Sequence, residues 1–145
     1  MEEIFIITTK DVGLPDIADV LRRTWRLDEE LGVPYVKVDS RSRAYVAEPE
    51  LDEPFKEDLF LDHPEMPEIL AKQFGRDYKI FSLRYRDPAL AREMARAIAS
   101  SELADSPMML NADGTYLPAK TFLARLAEDP PWDWYGPIDE YTRTE

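Results

Sequence analysis

The side chains able to do chemistry are few in kind. His63 is the single histidine and follows Asp62, so an Asp-His pair is available as a general base, with Ser82 or Ser42 as nucleophile if the fold brings one within hydrogen-bond reach. Cysteine is absent, which removes thiolate nucleophiles, thiolate metal ligands and disulfides together. Paired carboxylates can hydrolyse glycosides, but with 30 acids in the chain a pair at roughly 5–9 Å arises by chance and points nowhere. The glycines stand at 13, 32, 75, 114 and 136, too far apart for a glycine-rich phosphate loop, so neither the nucleotide P-loop nor the dinucleotide fingerprint can be written. Carboxylates between Glu48 and Asp62 could supply oxygen ligands to calcium or magnesium, yet their spacing matches no EF-hand loop. These residues therefore assign no catalytic group, no metal site and no cofactor.

Arginines offer a different chemistry. Arg84 and Arg86 share one face of an extended stretch, while Arg92 and Arg96 are spaced i, i+4 on a helix that follows it. Gathered near the helix start they would form an anion pocket; dispersed, they would tie down acidic neighbours by ion pairs. The second arrangement is the expected one, because charge is polarised along the chain. Residues 48–68 hold nine acids against one lysine, whereas residues 69–101 hold three acids against seven bases.

The formal charge of -12 sets the partner class. It disfavours direct binding to nucleic acid and to anionic membrane surfaces, both of which attract basic faces, and favours a basic protein partner. Two segments have the composition of contact surfaces. The acidic, proline-rich excursion 48–68 carries Glu48, Glu50, Asp52, Glu53, Glu57, Asp58 and Asp62 beside apolar Phe55, Leu59, Phe60 and Leu61. The carboxy-terminal strap 128–145 carries Trp132, Asp133 and Trp134 among prolines, and Trp is enriched at interface hot spots.

The elements that must position these residues follow from periodicity. Tyr78 to Tyr85 alternates Phe81, Leu83 and Tyr85 against Tyr78, Ile80, Ser82 and Arg84, the pattern of a strand. Asp87 then stands at an N-cap, Pro88 at the first helical position, and Leu90, Met94 and Ile98 recur every four residues, with Ala91 and Ala95 widening the stripe. Ile4 to Thr9 is apolar on both alternating faces and predicts an inner strand covered on both sides. Pro15 opens a helix whose broad face runs through Ile17, Val20, Leu21, Thr24, Trp25 and Leu31, with Gly32 as its stop. Tyr35–Val38 and Ala44–Ala47 predict two strands joined by a polar loop of hairpin length. Pro67 starts a short helix through Leu70 and Phe74 that Gly75 ends. Pro107–Leu110 and Thr115–Leu117 predict a final strand pair about the turn Asn111–Gly114, and Pro118 opens a last helix bearing Phe122, Leu123 and Leu126.

This order predicts an α+β fold, an elaborated ferredoxin-like two-layer sandwich whose mixed or mostly antiparallel sheet is covered by helices. A chain of 145 residues fits one domain, residues 1–145. The start Met-Glu-Glu lacks the basic flank of a signal peptide, and no apolar run reaches the roughly 20 residues needed to span a bilayer, so a soluble cytoplasmic protein is expected. The expected function is a non-enzymatic binding or inhibitor module that presents an acidic surface to a basic protein. In size, acidity and lack of a catalytic motif the chain is similar to the broad group of bacterial immunity proteins that block basic nucleases, without a diagnostic motif that would assign it there. The alternatives are a small hydrolase with a carboxylate and arginine site, and a regulatory subunit that self-associates through a sheet edge.

Overall fold

The computed structural model describes residues 2–38, 43–49, 53–61, 64–105, 108–110 and 116–127. All seven described strands belong to one sheet, in the order β2-β3-β4-β5-β1-β6-β7: β1 Glu2–Thr8, β2 Leu27–Glu30, β3 Val33–Lys37, β4 Arg43–Ala47, β5 Lys79–Tyr85, β6 Met108–Leu110 and β7 Tyr116–Pro118. Every neighbouring pair is antiparallel. The helices are α1 Leu14–Arg22, α2 Glu53–Leu59, α3 Met66–Phe74, α4 Pro88–Ala99 and α5 Ala119–Leu126, with a 3-10 turn at Glu102–Asp105.

The four central strands carry the expected ferredoxin-like interleaving. From β1 the chain passes through α1 and reaches β4, which lies parallel to β1 with β5 between them; β5 then crosses by α4 to β6, with β1 between. A β2–β3 meander extends this core on one side, β7 on the other, and α2 and α3 are inserted between β4 and β5.

Local chemistry explains most boundaries. The Asp87 carboxylate accepts a hydrogen bond from the Ala89 N–H at 3.0 Å, satisfying one of the amides left open at the start of α4, and Pro88 fills the next position. Leu90, Ala91, Met94, Ala95 and Ile98 then bury one face of that helix. At α1 the Gly13 N–H donates to Asp16 Oδ2 at 2.7 Å, an acid in the first turn that also complements the helix dipole. The expected length of this helix is corrected: it ends at Arg22, and Leu27–Glu30, read from sequence as its continuation toward Gly32, is an edge strand. The physical reason lies at Leu31 and Gly32, whose φ values of 51° and 81° make a two-residue hairpin turn of the type whose twist suits antiparallel strands.

Two hydrophobic clusters form on opposite faces of the sheet, as the two-sided apolar pattern of β1 requires. Ile4, Ile6, Phe81, Leu83 and Tyr85 pack with α1, α4 and α5, including Leu21, Met94 and Phe122, to make the principal core. Ile7, Tyr78 and Ile80 pack with Phe60, Met66, Leu70 and Phe74 of the inserted α2–α3 segment, and the Phe5 and Phe55 rings meet edge to face at 6.0 Å. The described part of the acidic excursion is thus ordered, its prolines separating two short helices that cover one half of the second face. The other half, over β2, β3 and β4, carries no helix among the described residues.

Candidate functional site

Strand register builds one transverse row that runs from the uncovered half onto the adjoining ends of β5 and β1. Asp28 of β2 lies opposite Tyr35 of β3, Tyr35 opposite Tyr45 of β4, Tyr45 opposite Arg84 of β5, and Arg84 opposite Glu3 of β1. Each residue stands on the parity that faces away from α1 and α4, since its chain neighbours Leu27, Val36, Ala44, Val46, Leu83, Tyr85 and Ile4 belong to the principal core. The row therefore presents acid, aromatic, aromatic, cation and acid across five strands.

Its geometry is tied internally. The Tyr35 and Tyr45 rings lie 5.1 Å apart with 33° between their planes, and the Arg43 guanidinium sits 5.5 Å from the Tyr35 centroid, within cation–π range. The nearby Tyr45 hydroxyl is the first cause that holds Arg43 still more firmly protonated than an ordinary arginine, although the buried Arg43 Nε itself has no hydrogen-bond partner, and the Tyr45 hydroxyl donates a long 3.4 Å bond to Glu30 Oε2. At the far end Arg84 Nε lies 3.5 Å from Glu3 Oε2. A shallow cavity of about 330 Å³ opens between these groups, lined by Glu30, Leu31, Val33, Tyr45, Ala47 and Arg84. Leu31 projects from its edge at the hairpin tip, 99% exposed and in a left-handed backbone conformation that costs a branched residue about 1–2 kcal/mol.

The structure distributes the residues singled out from sequence. Glu48 pairs with Lys79 at 3.6 Å and Glu68 with Arg76 at 3.9 Å, so two cations of the basic stretch do fasten the acidic excursion. Among the described residues, none of the four arginines expected to gather near the helix start or to counterbalance the excursion pairs with one of its acids. Arg84 and the exposed Arg86 are separated from α4 by the sheet, because α4 packs on the face that Leu83 and Tyr85 occupy; Arg84 pairs with Glu3, and Arg96 with Glu93 of its own helix at 3.2 Å. Arg92 is half-buried with its Nε lacking a hydrogen bond. Glu57 and Asp58 are exposed on α2, which Glu53 begins. Ser82 is 3% exposed, held within the sheet between Phe5 and Ala47 of the adjoining strands. Glu50, Asp52, Asp62, His63, Ser42, Trp132, Asp133 and Trp134 lie outside the described residues.

A second electrostatic contact is structural. Arg23, just past α1, forms a two-pronged pair with Glu102 in the 3-10 turn after α4, NH1 donating to Oε2 at 2.7 Å and NH2 to Oε1. The Arg23 hydrogen bonds hold the Glu102 carboxyl down at about 2. Among the described residues no group of three or more histidine or acidic side chains is arranged to hold a metal ion, and no helix is long and apolar enough to cross a membrane.

No protein-family model matches the chain, and neither a curated protein nor a solved structure matches it.

The row escaped sequence reading because its five members come from five strands, and none is unusual where it stands. The signal was present only in part. Tyr35, Tyr45 and Arg84 each occupy the outward parity of a recognisable strand, but strand order, which makes them neighbours, is not written in any one segment.

Proposed function

We propose that the chain is a non-enzymatic protein-binding module that docks a basic protein partner through the uncovered half of its sheet, in the manner of an inhibitor that covers its target. The observation that carries this reading is the Asp28–Tyr35–Tyr45–Arg84–Glu3 row. Tyrosine and arginine at the centre of a surface supply area with little rotamer entropy to lose, and acids at its rim select a cationic partner. The charge of -12 adds long-range steering, which speeds association at low salt. Exposed Glu57 and Asp58 on α2 extend the acidic field beyond the row. A cysteine-free chain suits a reducing compartment, so the partner is met in the cytoplasm, and an immunity-type role against a basic toxin fits this chemistry.

Pairing between two copies at the β2 edge is disfavoured by the same residues. Asp28, Glu29 and Glu30 are consecutive on that edge strand, and a second copy would bring like charges together. A basic strand or loop meets no such penalty.

Affinity capture with the tagged full chain tests the proposal. A protein of high isoelectric point should be retained at low salt and released as salt rises. Capture should fail with Tyr45→Ala and weaken with Asp28, Glu29 and Glu30 reversed to lysine; reversal of Glu57 and Asp58 separates the contribution of α2. Retention of RNA, or of a protein indifferent to all these variants, would overturn the reading.

A further inference from the structure

A cavity of about 580 Å³ lies between α2 and α3, on the covered half of the second sheet face and away from the tyrosine row. That volume falls within the range of small-molecule sites. Its walls are apolar at Phe60 of the α2 end and Ala71 of α3, and charged at Lys56, Arg76 and Glu68. Tyr78 also lines it, from the start of β5.

Two of these groups are placed to meet a ligand. Tyr78 is only 6% exposed, yet its hydroxyl has no hydrogen-bond partner among the described residues, and burial alone pushes its phenol upward. The ring is packed in the smaller cluster while the hydroxyl tip opens on the cavity, where a ligand can take the place of water as its partner. Lys56 is half-buried and has no ion-pair partner among the described residues, whereas Arg76 already faces Glu68 at 3.9 Å. Glu57 also borders the space, but it is exposed, whereas the stem of Lys56 is partly covered and its ammonium is left unpaired at the cavity wall.

We infer that this cleft binds a small apolar acid, an aromatic or acyl body carrying one anionic group, with the body between Phe60 and Ala71, the anion on Lys56 and a polar atom on the Tyr78 hydroxyl. The inference is independent of the sheet-face reading, since none of these residues belongs to the row.

The test uses the full chain with two fluorescent probes of similar shape, anionic 8-anilinonaphthalene-1-sulfonate and neutral N-phenyl-1-naphthylamine. The anion should saturate one site per chain. Lys56→Gln should weaken it about tenfold, the scale of a lost charge-assisted bond, and leave the neutral probe unchanged, while Tyr78→Phe should weaken the anion roughly three- to tenfold. Should Tyr78→Phe melt early, Lys56→Gln still decides, because Lys56 is not part of the buried core. Absence of saturable binding to the native chain, or an affinity for the anion that Lys56→Gln leaves intact, would overturn the inference.

Discussion

Tyr35 and Tyr45, directly opposed on β3 and β4, hold their rings 5.1 Å apart on a sheet face that no described helix covers. Cross-strand aromatic pairs contribute about 0.5–1.5 kcal/mol beyond the area they bury. Tyr45→Ala should therefore lower stability by about 1 kcal/mol in urea titration, a small effect beside a loss of partner affinity of about 2 kcal/mol or more, as expected for a hot-spot tyrosine. An equal loss in both measurements would make the pair structural only.

Leu31 gives the opposite sign. Asparagine tolerates a positive φ far better than leucine, and Asn-Gly is the preferred pair for this turn, so Leu31→Asn should stabilise the chain by about 1 kcal/mol and raise Tm by roughly 2–4 °C. The same substitution removes a fully exposed apolar contact from the rim of the tyrosine row, and partner affinity should fall. Thermal melts and calorimetric titration of the two proteins separate the effects.

The Arg23–Glu102 pair makes stability depend on acid pH. Folding lowers the Glu102 carboxyl from its ordinary value of 4.5 to about 2. A group lowered by folding stabilises the native state above its unfolded value and loses that contribution as pH falls toward its folded one. Wild type should therefore exceed Glu102→Gln in stability at neutral pH, with the gap narrowing as pH drops from 4.5 toward 2. Denaturant titrations of both proteins across this range measure it.

The two cores should respond separately. Leu70 is fully buried on α3 in the smaller cluster, and Ile98 fully buried on α4 in the larger. Each alanine substitution should cost about 2–5 kcal/mol, but hydrogen exchange should show Leu70→Ala freeing chiefly the amides of α2 and α3, and Ile98→Ala lowering protection throughout the sheet.

Much of the fold was legible because each strong segment carries its own signal. Ile4 to Ile7, apolar on both faces, does lie between two strands with a cluster on each side, and Asp87-Pro88 does start α4. The stretch after Arg22 was not legible, since Trp25 follows Leu21, and Leu31 follows Thr24, at helical spacing, and leucine is an unusual occupant of a left-handed turn position. Sequence attributed the positive φ of Gly32 to a helix end; the structure uses it in a hairpin. Charge complementarity between neighbouring segments was also only partly readable: the ion pairs that fasten the acidic excursion come from Lys79 and Arg76, because Arg84 points to the uncovered face where Glu3 is its opposite number.

Side-chain oxidative footprinting of the full chain, free and bound to its captured basic partner, tests the central claim most directly. Docking on the uncovered face predicts strong protection of Tyr35, Tyr45 and Leu31 in the complex, with Trp25 and Leu123, packed against the principal core, unchanged. Unchanged labelling of Tyr35, Tyr45 and Leu31 in a saturated complex would contradict it.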